Sequence, residues 1–156
     1  MPMQNAVKEI MSTNLETIDV TENAQQASKK MNDKRISSVL VIDRDKKSEE
    51  PMGIITERDL VKHVCASGIS SKEVGVREIM SSPIATVEAE ATVETAADLM
   101  LSNKVRHLVV VDEQTRKPVG IIAPSDMNKY LRANIDMNEV NARIFEAIRA
   151  EELTEP

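Results

Sequence analysis

Polar and apolar positions alternate along this chain with two different periods. Two runs are apolar throughout and rich in β-branched residues: Ser38 to Ile42 and His107 to Val111. Such runs predict strands covered on both faces. Each is preceded by a stretch with helical spacing. Ala24, Ala27 and Met31 share one face of a helix that Asn23 can cap, with Gln26 as its capping-box partner. Val93, Ala96, Ala97 and Met100 form the matching stripe behind a Thr92 cap. Short extended pieces come before these helices, Glu16 to Asp19 and Ala85 to Glu88. Polar loops, Arg44 to Glu50 and Glu113 to Lys117, follow the apolar runs. Second strands at Gly53 to Ile55 and Gly120 to Ile122 then turn directly into helices over Glu57 to Ala66 and Ser125 to Ala133.

The chain is thus written twice. Val7-Lys8-Glu9-Ile10-Met11-Ser12 aligns with Val76-Arg77-Glu78-Ile79-Met80-Ser81, and Val39-Leu40-Val41-Ile42-Asp43 with Leu108-Val109-Val110-Val111-Asp112. After a shorter second loop, Pro51-Met52-Gly53-Ile54-Ile55 aligns with Pro118-Val119-Gly120-Ile121-Ile122, and Asp59 with Asp126. Repeats are expected over 7–66 and 76–133, each strand-helix-strand-strand-helix, in a mixed α+β fold. A single copy of this size has a marginal core, so the two should pack as one pseudosymmetric module. From 134 to 156 the pattern changes. Asp136 can cap a last helix striped by Met137, Val140, Ile144 and Ile148, which leads into an acidic tail. That apolar face must dock on its own module or on a partner subunit.

Composition narrows the function. The 156 residues carry a net charge of −6. Residues 1–66 and 67–133 contribute −1 each, and 134–156 contribute −4, so no basic stripe offers itself to a duplex. Tyr130 and Phe145 are the only aromatics, too few for base-stacking platforms. Nucleic acid is therefore an unfavoured partner. The longest purely aliphatic runs have four residues, against the ~20 of a membrane helix, so no membrane span is expected. The first residues lack the basic start and apolar core of a secretory signal, and the expected location is cytoplasmic. One cysteine, Cys65, leaves no internal disulfide and no multi-cysteine zinc site. No phosphate loop, HExxH pair or recognisable nucleophile–base set is present, so neither catalysis, a catalytic cofactor nor a metal is expected.

Two segments carry candidate chemistry. Gly53-Ile54-Ile55-Thr56-Glu57-Arg58-Asp59 is a strand that ends where a helix begins. The free N–H groups of such a terminus suit an anion, Arg58 adds a phosphate-matched fork, and Asp59 can accept from a ribose diol. Thr-x-x-Asp at a helix start is equally an ordinary capping arrangement. Lys104-Val105-Arg106-His107 enters the second buried strand, where the cations either face a cleft or protect an edge.

These motifs together, the paired Ile-Met, Thr-Ile or Thr-Val, Met-ended helix, β-branched strand with Asp, and Gly-Ile-Ile-Thr-Glu-Arg-Asp, resemble a tandem pair of CBS domains, the Bateman module. The resemblance covers about residues 7–133. It implies two clefts between the repeats that take adenosine compounds such as AMP, ADP, ATP or S-adenosylmethionine. It implies a main site of Thr56, Arg58, Asp59, Ile84, Ala85, Thr86, Val105, Arg106 and His107. There Asp59 and Thr56 would hold the ribose, Ile84 and Val105 would flank the base, and the backbone at Ala85 would read its edge. Arg58, Arg106 and His107 would meet phosphate. The second site, Leu15, Thr17, Ser37, Ser38, Ser125 and Asp126, has Ala123 in place of the threonine and a short, uncharged wall. It is expected to be weaker, to prefer a ligand without a charged tail, or to stay empty. The resemblance further implies a disc-shaped homodimer through helices carrying Leu60, Val61, Val64, Met127 and Leu131. The implied role is that of a regulatory module reporting energy state to a separate effector protein. The alternatives are a ligand-free dimeric scaffold, an S-adenosylmethionine binder or a nucleic-acid binder.

Overall fold

The computed structural model describes residues 5–46, 50–134 and 136–152. Part of the first polar loop and the acidic tail after Glu152 lie outside them. Six strands and seven helices follow in order: α1 (Val7–Ile10), β1 (Thr17–Asp19), α2 (Ala24–Lys34), β2 (Ser38–Ile42), β3 (Gly53–Thr56), α3 (Glu57–Leu60), α4 (Val76–Ile79), β4 (Thr86–Glu88), α5 (Val93–Asn103), β5 (Leu108–Val111), β6 (Pro118–Ile122), α6 (Pro124–Asn134) and α7 (Met137–Glu152). Helix α3 continues as a π-helical turn over Val61–Cys65, closed by the Ala66 N–H on the Val61 carbonyl at 2.8 Å. The α-helical pattern expected up to Ala66 therefore widens halfway.

The sheets are two copies of one plan. In each, the first strand runs parallel to the second and the third antiparallel to it, in order β1-β2-β3 and β4-β5-β6. Register repeats with the sequence: Thr17 faces Leu40 and Thr86 faces Val109. Strand β2 is buried from Ser38 to Val41 and β5 along its whole length, as unbroken apolar runs require. The capping box of Asn23 with Gln26 and the Thr92 cap form as expected. Alternate strand residues face opposite ways. Val39, Val41 and Ile55 enter one helix-covered core, Leu108, Val110 and Ile122 the other. Leu40, Ile54, Val109, Val111 and Ile121 pack between the two sheets, with Leu15 and Ile84 beside them.

The two cores do not coincide with the two sequence copies. Val7, Ile10 and Met11 of the first copy pack into the core built on β4–β6, and Val74, Val76, Ile79 and Met80 pack into the core built on β1–β3. The exchange is pinned by backbone hydrogen bonds: Val7 N–H to the Ala91 carbonyl at 2.8 Å, and Val76 N–H to the Glu22 carbonyl at 3.0 Å. Helices α1 and α4 are single turns, too short to hold without tertiary contacts, and the sequence pattern did not announce them. Glycine permits the closest approach. A Cβ on Gly53 would lie 2.6 Å from the Met80 sulfur and 3.0 Å from the Ser81 carbonyl oxygen. On Gly120 it would lie 2.5 Å from the Met11 sulfur and 2.8 Å from the Ser12 carbonyl oxygen.

Helix α7 forms, with the Asp136 carboxylate accepting from the Asn138 N–H at 2.9 Å. Its stripe is covered only in part: Val140 is half-buried, Ile144 and Ile148 are at least half exposed, and the neighbouring Phe145 is 69% exposed. No helix among the described residues is long and apolar enough to cross a membrane.

Two outcomes follow from the exchanged packing. Gly120→Ala, which presses a Cβ on backbone, should destabilise by about 1–3 kcal/mol and by more than Gly53→Ala in urea unfolding. Val7→Ala should raise amide exchange mainly in β4–β6 and α5, although residue 7 belongs to the first copy; exchange rising mainly in α2 would contradict the swapped core.

Candidate functional site

Each repeat boundary opens a cleft, and the smaller one gathers most of the first candidate set. Its volume is about 450 Å³, and Thr56, Arg58, Asp59, Val105, Arg106 and His107 line it together with Ile54, Glu57, Lys62, Ser81 and Lys104. One wall comes from the β3–α3 corner of the first copy. The other comes from the approach to β5 in the second. Ile84, Ala85 and Thr86 are not on this lining. Ile84 packs beside the inter-sheet core, the Ala85 carbonyl accepts from the Val109 N–H at 3.0 Å, and Thr86 opens β4.

Asp59 is the centre of a hydrogen-bond set. Its Oδ2 accepts from the Thr56 N–H at 2.9 Å and from the Thr56 hydroxyl at 3.0 Å, while the Asp59 N–H donates back to Thr56 Oγ1 at 3.4 Å. The two local readings of Thr-x-x-Asp therefore coexist: this is a capping box, and it also fixes a half-buried carboxylate in a cleft. Asp59 Oδ1 accepts from the Ser81 hydroxyl at 3.0 Å. Four cations, Arg58, Lys62, Lys104 and Arg106, stand on the same cleft against the carboxylates of Glu57 and Asp59. The surplus of positive charge and the fork geometry of arginine suit a phosphate group.

His107 lines this cleft and also bonds across the repeat boundary. Its Nε2 lies 2.9 Å from the Ser37 hydroxyl of the other copy, and the ring borders both clefts. Burial pushes its pKa below the ordinary histidine value, against the upward pull of Glu57, Asp59 and Asp126 and with the help of Arg106. Burial thus favours the neutral imidazole beside Arg58 and Arg106.

The other cleft is the larger, about 870 Å³, and brings together Ser37, Ser38, Ser125 and Asp126. Its wall is not uncharged as expected, because Arg35 and Lys129 line it. Arg35 sits at the C-cap of α2 with φ +54°, and Lys104 occupies the matching left-handed position after α5. Each puts one cation on one cleft. Asp126 is only 8% exposed, and its Oδ2 accepts from the Ala123 N–H at 2.9 Å with no threonine hydroxyl beside it. Leu15 and Thr17 line a third cavity of about 630 Å³, near Pro51 and Pro118, instead of this one.

Lys62, Glu57, Ser81 and Lys129 escaped the sequence reading, whereas Arg35 belongs to Lys34-Arg35, the first copy's counterpart of the basic pair before β5. A signal existed for Ser81, since Ile-Met-Ser occurs in both copies. None existed for Lys62 or Lys129, which look like ordinary charged positions on solvated helices.

The comparisons with known proteins agree with this architecture. A family model for the CBS domain matches residues 7–66 and 76–133. An uncharacterised protein of Methanopyrus kandleri is 37% identical over 134 residues, which cover 84% of this chain and 66% of that protein. The hexameric CBS-CP12 protein from bloom-forming cyanobacteria is 30% identical, covers 99% of this chain and 88% of that one, and superposes with a TM-score of 0.75. A CBS domain protein of Pyrobaculum aerophilum, solved in complex with AMP, shares the fold at a TM-score of 0.68 and 23% identity, covering 78% of this chain and 89% of its own. With two family matches on two copies of one strand-helix-strand-strand-helix plan, the chain belongs to the CBS domain family as a tandem pair.

Proposed function

We propose that this CBS pair is a regulatory module that binds an adenine nucleotide in the cleft of Asp59 and passes its occupancy to a partner protein. The observation that carries the reading is the composition of that cleft. A carboxylate held rigid at a helix start faces Arg106 and Lys104 across the repeat boundary, with Arg58 and Lys62 on its own side. Sugar and phosphate thereby find complementary groups within one cavity. The AMP complex of the Pyrobaculum aerophilum protein supports it further, since a protein of this fold accommodates that ligand. Thr56, Arg58, Asp59, Val105, Arg106 and His107 form the core of the proposed site, and Ile84, Ala85 and Thr86 would join it only as a loop adjusts around the base. The Asp126 cleft is the weaker site, because its carboxylate is closed off.

The module pairs with a second copy through the helices after β3 and β6, where Val61 and Leu131 stay exposed. It acts in the cytoplasm and has no catalytic step of its own. The alternative, a ligand-free scaffold, draws on one observation, the partly uncovered stripe of α7.

Thermal unfolding with AMP, ADP, ATP, S-adenosylmethionine and GTP decides between them. A ligand at a hundred times its Kd adds about 2.7 kcal/mol, a rise in Tm of roughly 5–11 °C for a chain of this size. One adenosine compound should give that rise, GTP none, and Asp59→Asn should abolish it. No rise with any compound would leave the scaffold.

Affinity should also depend on pH with a defined sign. A phosphate beside His107 favours the imidazolium, so the bound state holds a proton that the free state, with its lowered pKa, does not. Binding then tightens as pH falls from neutral toward the lowered pKa of the free group and weakens as pH rises. Titration calorimetry from pH 5.5 to 8 measures this, and His107→Gln should flatten the profile.

A further inference from the structure

Ser81 stands at the site without belonging to either expected wall. It follows α4, the single turn that leaves the second copy to complete the core on β1–β3. Its backbone is fixed to β3 from both sides: the Ser81 N–H donates to the Ile54 carbonyl at 2.8 Å, and the Ile54 N–H donates to the Ser81 carbonyl at 3.1 Å. The side chain is exposed to the cleft, and its hydroxyl reaches Asp59 Oδ1. The position of the hydroxyl is therefore set by backbone pairing and not by its bond to the carboxylate.

Acceptor counting gives this placement a consequence. Asp59 Oδ2 already receives two donors from Thr56, which is its ordinary capacity. Oδ1 receives one, from Ser81, and has room for one more. A ribose presents two adjacent hydroxyl donors. The carboxylate alone can take one of them without breaking its cap. A hydroxyl that donates its own proton to Oδ1 still has two free lone pairs beside that oxygen.

We infer that Ser81 is a ribose-binding residue: Asp59 Oδ1 accepts one sugar hydroxyl and Ser81 Oγ accepts the other. This rests on the adenine-nucleotide reading above and extends it. The arrangement reads a vicinal diol with one charged and one neutral acceptor, and the two come from different copies of the repeat. Selection of ribonucleotides over deoxyribonucleotides is then divided between them. It also ties ligand to the exchanged segment, since the residue that meets the sugar immediately follows Met80 in the core.

The test compares AMP with 2′-deoxy-AMP and 3′-deoxy-AMP by titration calorimetry on the wild-type chain, Ser81→Ala and Ser81→Thr. Removing a neutral hydrogen bond should weaken AMP roughly 3- to 10-fold in Ser81→Ala. The analogue lacking the hydroxyl that Ser81 receives should bind wild type and Ser81→Ala equally, while the other analogue keeps the loss. Ser81→Thr, which retains the hydroxyl, should restore AMP affinity. Equal weakening of all three ligands in Ser81→Ala would mean that the residue only props Asp59, and would overturn the inference while leaving the nucleotide site standing. Unchanged affinity for all three would also overturn it. If wild type binds none of the three, the nucleotide reading fails and this inference with it.

Discussion

The exchange of leading segments between the two repeats is the constraint on which the rest of this structure depends. Each sheet has one helix-covered face, and each helix pair leaves that face incomplete. Met80 and Ile79 fill the gap on one side, Met11 and Ile10 on the other. Delivery of these side chains requires backbone to lie on backbone. That is possible at Gly53 and Gly120 because nothing projects there, and the paired bonds of Ser81 with Ile54 and Ser12 with Ile121 lock the crossing. Separating the repeats would thus open both cores at once, in addition to the Leu40, Ile54, Val109, Val111 and Ile121 layer between the sheets.

The clefts are by-products of the same crossing. Strand β3 turns into α3 beside the incoming Ser81, so the carboxylate that caps the helix also faces the other copy. On the opposite wall, α5 ends in the left-handed residue Lys104, and the chain re-enters the sheet through Val105, Arg106 and His107. Cations from the second copy therefore face a carboxylate from the first. Neither copy holds such a cleft alone.

Pseudosymmetry is kept by the strand order and the paired registers, and broken by the π-helical turn after α3 and by the side chains of the clefts. Asp59 and Asp126 occupy matching helix starts, yet Asp59 is half-buried with three donors from protein groups, and Asp126 is nearly closed with its cap bond to Ala123. His107 spans the boundary, bonded to Ser37, so one ring belongs to the walls of both clefts.

The duplication, the strand and helix order, the Asn23 and Thr92 caps, and the Thr56–Asp59 corner were legible in the sequence. Each is carried by local periodicity or by residues three apart. Local signals left Lys104 to His107 open between cleft and edge; only the family resemblance paired Val105, Arg106 and His107 with Asp59, which follows a strand of the other sheet. Several features were settled by tertiary structure alone. Burial lowered the His107 pKa, and only the folded chain supplies that burial. Leu15 and Thr17 went to a separate cavity because their strand borders the sheet's other end. The one-turn helices α1 and α4 exist only against the opposite copy, since four residues cannot hold a helix unaided. Ser81 meets Asp59 through a contact across 22 positions. Local sequence determines what each segment forms and which face is apolar. Which segment fills which core, and so which side chains meet in a cleft, is decided by long-range packing that no local pattern encodes.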